Sequence, residues 1–118
     1  MDKIFIEQFT KNWLKSWNTH NLEAILSHYA EDFEITSPLA LERFPESQGT
    51  IKGKEAVGKY WALGLKLNPN LEFEIIDVLS GVNSISIYYL SKASQKHVVE
   101  TLVFDETLKV CKAIVNYR

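Results

Sequence analysis

One cysteine, Cys111, is present in 118 residues, so an intramolecular disulfide framework is excluded, as is a zinc site built on cysteines. A reducing compartment suits such a chain. No apolar stretch approaches membrane-spanning length. The first residues, MDKIFIEQFTKNW, lack the basic start and apolar run of a secretory signal. A cytoplasmic protein without a membrane partner is expected. The net charge of -2, with dispersed lysines, gives no electrostatic footprint for nucleic acid. Repeats, linkers and low-complexity segments are missing. No His/Asp/Glu spacing resembles a metal site and no Gly-rich loop resembles a phosphate cradle, so neither metal nor cofactor is expected.

What is present is a globular balance, 46 % hydrophobic and 24 % charged, of a length that suits one domain spanning 1–118. Fourteen aromatics (Trp 3, Tyr 5, Phe 6) are many for this length. They suffice to fill a core, line a cavity or build an oligomer interface.

Residues 3–17 carry helical spacing, with Ile6, Phe9, Trp13 and Trp17 on one stripe. Asn21 reads as the N-cap of a short helix from Leu22 to about Tyr29, with Leu22, Ile25, Leu26 and Tyr29 on its apolar face. Phe33 and Ile35 then alternate with Glu34 and Thr36, a half-buried strand that Pro38 should stop. Residues 39–53, with Pro45, Gly49 and Gly53, form the longest irregular segment: a functional lid or rim, a plain surface excursion, or a segment that holds a short strand around Thr50-Ile51. A third helix is expected over about 54–66. From Asn70 the period becomes two, with strands at 71–79, 82–91, 95–104 and 109–117. Their short connections imply antiparallel neighbours. Helices set apart from such a sheet make the fold class α+β.

The phrase WNTHNLEAILSHYAEDFEITSP, the loop ending in IKGKEAVGKYW and the closing VFDETLKVCKAIVNY occur in this order over residues 3–117. In this the chain resembles the nuclear transport factor 2-like superfamily, and within it the SnoaL-like polyketide cyclases and ketosteroid isomerases. The resemblance implies a cone-shaped α+β barrel, with three N-terminal helices packed on a strongly curved, mainly antiparallel sheet. It also implies a pocket between helices and sheet for a small hydrophobic ligand. Homodimers formed through the outer face of the sheet are a further implication. Function does not follow from the fold.

The resemblance assigns positions one by one. The isomerase base, an aspartate before a proline, falls on Ser37, and a hydroxyl is no base near neutral pH without a partner to take its proton. The first-helix tyrosine falls on Trp13, whose indole donates one hydrogen bond and transfers no proton. The neutral acid that holds the oxyanion falls on Glu100. Periodicity independently sets Glu100 apart, because the face Lys96, Val98, Glu100, Leu102, Phe104 has no other carboxylate. If that face is the inner one, desolvation raises the pKa of Glu100 and suits it to proton transfer. The opposite face, with His97, Val99, Thr101 and Val103, is apolar enough to compete for the interior. Tyr29 is either a pocket hydroxyl or a core aromatic, and Trp61 falls where another tyrosine of the isomerase network would stand. Leu102, Val115 and Tyr117 complete the expected wall.

Of the histidines, His20 is expected in solvent and His28 at a helix C-terminus that favours a cation. His97 should face away from Glu100. Two functions remain open on these residues. One is an isomerase, cyclase or dehydratase acting on a small carbonyl compound through Glu100, in a pocket shaped by Trp13, Tyr29, Ser37 and Trp61. The other is a non-catalytic binding or dimerising module of the same fold.

Overall fold

Asp2 caps the first helix by accepting the Phe5 amide, and α1 runs Lys3–Asn18 in the computed structural model, which describes residues 1–118. Phe9, Trp13 and Trp17 are buried on its inner stripe. Asn21 caps α2 through Ala24, but α2 spans only Leu22–Leu26. Tyr29, expected at the end of this helix, instead opens β1, Tyr29–Thr36. The reason is tertiary: the His28 carbonyl is taken by the Val110 amide of the last strand, which draws the chain into the sheet.

The segment expected to be irregular is largely ordered. Ser37 caps α3, Pro38–Arg43, with Pro38 in its first turn, where the missing N–H costs nothing. A 3₁₀ turn, Pro45–Ser47, leads to β2, Thr50–Lys52. β2 pairs antiparallel with β1, tied by the Thr36 and Thr50 hydroxyls at 2.8 Å. Gly53, at φ 92°, makes the sharp entry to α4, Lys54–Leu67. Then follow β3 Phe73–Ser80, β4 Ser84–Ser91, β5 Lys96–Phe104 and β6 Val110–Tyr117. The four strands thus start one to two residues later than periodicity suggests.

The sheet order is β2-β1-β6-β5-β4-β3. All neighbours are antiparallel except β1 and β6, which run parallel. Register shifts occur in the β1–β6, β3–β4 and β5–β6 ladders. Each adds local twist and bends its strand, so the sheet curls around the helices. α1 packs over β3, and α4 packs over β1 and β2. The result is the expected α+β class and curved sheet, with four α-helices where three were expected.

The inward faces alternate cleanly: Ile85, Ile87, Tyr89 on β4; Val98, Glu100, Leu102, Phe104 on β5; Ala113, Val115 on β6. The competition on β5 is therefore resolved in favour of the face that carries Glu100. No helix is long and apolar enough to cross a membrane.

Candidate active site

Glu100 lies mid-strand, facing Ile87 on β4 and Val115 on β6, with Val98 and Leu102 on its own face. Its side chain is buried among these apolar neighbours, at 5 % exposure. One hydrogen bond reaches it: the Tyr89 hydroxyl donates to Oε2 at 2.5 Å. Burial pushes its pKa from 4.5 to about 7, and the Tyr89 hydrogen bond partly opposes that rise. Near neutrality Glu100 therefore populates both its acid and its base form.

A cavity of about 320 Å³ reaches Glu100 from solvent. Trp61, Phe73, Tyr89 and Val98 line its buried part. Exposed Pro38, Glu42, Ser94 and Lys96 place the mouth between α3 and the β4–β5 turn. The volume is that of a small-molecule site.

Four phenols feel the Glu100 charge. Tyr29, Tyr89 and Tyr117 are raised first by burial and next by Glu100, Tyr117 to about 12. Tyr60 is raised by burial, with Ser37 and Arg43 opposing and Glu100 adding a smaller increment. All four therefore stay protonated near neutral pH. Tyr60, Tyr89 and Tyr117 line the cavity, and neutral O–H groups there can donate to a ligand oxygen.

Of the residues expected at the site, Glu100, Ser37, Trp61, Val115 and Tyr117 line the cavity. Trp13, Tyr29 and Leu102 do not. Trp13 and Leu102 are fully enclosed, and the Trp13 Nε1–H donates to the Tyr29 hydroxyl at 3.1 Å behind the wall. The Trp13 ring packs on Phe73 and Tyr89, so it props the wall rather than forming it.

Ser37 is buried, and its hydroxyl accepts the Leu39 amide as the α3 cap. It also acts on the phenols of Tyr60 and Tyr117, lowering both. No histidine lines the cavity. His20, expected in solvent, instead bonds the Leu71 carbonyl through Nε2 at 2.8 Å. His28 stacks edge-on against Phe9, and burial holds its pKa below 6.5, so the expected helix-end cation is disfavoured. His97 faces away from Glu100 and bonds Tyr88 at 3.0 Å. Asp77 is exposed and accepts the Val78 amide.

Sequence reasoning missed Tyr89, Tyr60, Trp17 and Arg43 as cavity residues. A signal for Tyr89 existed. The short turn after Ser91 sets Ser91 opposite Lys96, which puts Tyr89 diagonal to Glu100 on the same face. Trp17 Nε1 is the one buried side-chain nitrogen or oxygen without a partner.

Comparison with known proteins agrees with the fold. A family model described as a SnoaL-like domain matches residues 10–101. A SnoaL-like protein of unknown function from Burkholderia thailandensis is 40 % identical over 99 % of this chain and 97 % of its own, with a TM-score of 0.95. A proposed polyketide cyclase from Sinorhizobium meliloti shares 8 % identity over 92 % of this chain and 94 % of its own, at TM-score 0.74. A proposed ketosteroid isomerase from Kribbella flavida shares 12 % over 92 % and 74 %, at 0.67. The last two are similar in fold alone. No curated protein shows significant sequence similarity to the chain.

Proposed function

This chain belongs to the SnoaL-like family, and from that premise we propose that it binds a small, partly hydrophobic carbonyl compound and moves a proton on it through Glu100. The observation that supports this is a single carboxyl group, buried in an apolar cavity, with a pKa near 7. A general acid or base works best when its pKa lies near the working pH.

In the proposed chemistry, ionised Glu100 takes a proton from the carbon next to the carbonyl. The C–H electron pair moves into an enolate, whose oxygen accepts hydrogen bonds from neutral phenols on the wall, Tyr60 or Tyr117. Protonated Glu100 then gives the proton back. Delivery to a different carbon is an isomerisation. Delivery to a departing hydroxyl is a dehydration. Attack of the enolate carbon on a second carbonyl of the same ligand, with the proton passing to the new alkoxide, is a cyclisation. Each outcome is redox-neutral.

The test is hydrogen–deuterium exchange next to the carbonyl in a panel of small cyclic ketones and enones, followed by NMR in deuterated water. The wild type should accelerate exchange for some members. Glu100→Gln should lose on the order of a hundredfold or more of that acceleration, the usual worth of a positioned general base. Full exchange activity in the Gln variant would remove Glu100 from this role.

A second reading, a non-catalytic binding protein, draws on one observation. Ser37, at the isomerase base position, is engaged as a helix cap, and no histidine on the wall can activate it. On that reading no ketone exchanges faster in the wild type, and a hydrophobic ligand binds Glu100→Leu as well as the wild type.

A further inference from the structure

Resting on the reading of the cavity as a ligand site, we propose that the ligand is an anion, with its charged group held at the mouth between Arg43 and Lys96 and its apolar body directed inward toward Glu100. The two cations come from different elements, α3 and the start of β5, and both line the cavity. The Arg43 guanidinium lies 5.9 Å from the Tyr60 ring centroid, and the Lys96 ammonium 5.6 Å from that of Tyr117. Tyr117 also feels the Arg43 charge, which puts both cations around one phenol.

Neither cation belongs to any ion pair of the chain, whereas Lys54, Lys59, Lys92 and Lys112 each have a carboxylate partner. The acids on the cavity wall are Glu42, exposed at the rim, and Glu100 at the inner end. Arg43 and Lys96 therefore outnumber the single rim carboxylate.

The place of Arg43 is built into α4. A side chain at Gly64 would put its Cβ 3.1 Å from Arg43 Nη1. Glycine weakens the interior of a helix. Here its bare backbone leaves room for the guanidinium to lie against α4 beside the cavity. A guanidinium offers paired donors that match a carboxylate or sulfonate, and an ammonium adds a second charge. The ligand class is thus an amphipathic acid with an apolar body and a carbonyl. Its charge stays at the wet rim, away from a carboxyl group that must ionise to act as a base.

The test uses two dyes of nearly the same shape, the anion anilinonaphthalenesulfonate and neutral N-phenylnaphthylamine, titrated by fluorescence. The wild type should bind the anion on the order of tenfold tighter, and the advantage should shrink as salt rises. Arg43→Gln with Lys96→Gln should remove that advantage and leave the neutral dye unchanged. Both positions are at least partly exposed, so the fold should tolerate the change, and Arg43→Lys should retain part of the preference. Leu65→Trp, which narrows the cavity, should weaken both dyes and so locate them.

Equal affinity for the two dyes, or a preference that survives the double variant, overturns the anion proposal and leaves the cavity as a ligand site. Failure of both dyes to bind, or indifference of both to Leu65→Trp, overturns the ligand site and the anion proposal with it.

Discussion

Tyr89 reaches Glu100 along a diagonal of the β4–β5 ladder. Tyr89 stands opposite Val98, and Glu100 stands opposite Ile87, so the two side chains share one face two positions apart. A long side chain spans that diagonal. The hydroxyl donates to Oε2 at 2.5 Å and is the carboxyl group's one hydrogen-bond partner. Two opposing effects thus set the proton affinity of Glu100: burial raises it and Tyr89 lowers it, with burial the larger.

Tyr89→Phe removes the smaller effect and leaves the larger. The Glu100 pKa should therefore rise further. A hydrogen bond to a charged group is worth about 1.5–3 kcal/mol, so the rise should be roughly one unit or more. Carbon-13 NMR of labelled glutamate carboxyl groups across a pH series reads it directly. A Glu100 pKa that stays put or falls would show that Tyr89 does not act on the ionised form.

The same buried carboxyl group makes stability depend on pH. Its folded pKa, about 7, lies above its ordinary value of 4.5, so the folded state holds the proton more tightly. The stabilising contribution is complete below pH 4.5 and is lost as pH rises through about 7. Glu100→Gln cannot ionise and escapes that loss. Relative to the variant, the wild type should lose on the order of 3 kcal/mol between pH 5 and pH 9, from a shift of about 2.5 units. Urea denaturation at the two pH values checks this, and parallel curves for the two proteins would contradict it.

How much of this was legible beforehand follows from which forces act locally. The helix stripe Phe9, Trp13, Trp17 is readable because period fixes it, and period also groups Val98, Glu100 and Leu102 on one face of β5, but which of the two apolar faces turns inward is set by packing against the helices. Tyr29 was misplaced because its strand conformation comes from pairing with β6, a partner more than eighty residues away. α3 was hidden because six residues give little periodicity, although Ser37-Pro38 carried its cap and first turn. The resemblance places Trp13 on the cavity wall because the first-helix tyrosine of the isomerases falls there. Which aromatics form the wall and which stand behind it is decided by packing: Trp13 donates to Tyr29 and lies against Phe73, so other side chains face the ligand.

Asn18 holds the N-terminal helix to the far edge of the sheet. Its side chain accepts the Phe73 amide at 2.8 Å and donates to the Phe73 carbonyl at 3.0 Å, as a neighbouring strand would. Asn18→Ala strands both groups of a residue that lines the cavity. Two lost hydrogen bonds with partly buried partners should cost about 2 kcal/mol. Chemical denaturation measures the loss. A change within a few tenths of a kcal/mol would mean water replaces both bonds at no cost.

Ser37 allows the cap and the cavity to be separated. Ser37→Ala removes the oxygen that accepts the Leu39 amide, so α3 should lose about 1 kcal/mol. Ser37→Asp keeps a capping oxygen and should keep most of that stability. It also sets a second buried carboxylate on the wall that Glu100 shares, beside the exposed Glu42 at the rim. Tyr60 and Tyr117 each respond to both Ser37 and Glu100, so an anion at position 37 should act on Glu100 as well. Like charges disfavour double ionisation, and the Glu100 pKa should climb above 7 in Ser37→Asp but not in Ser37→Ala. If carboxyl NMR finds Glu100 unmoved in Ser37→Asp, position 37 serves α3 alone and lies outside the electrostatic reach of the acid.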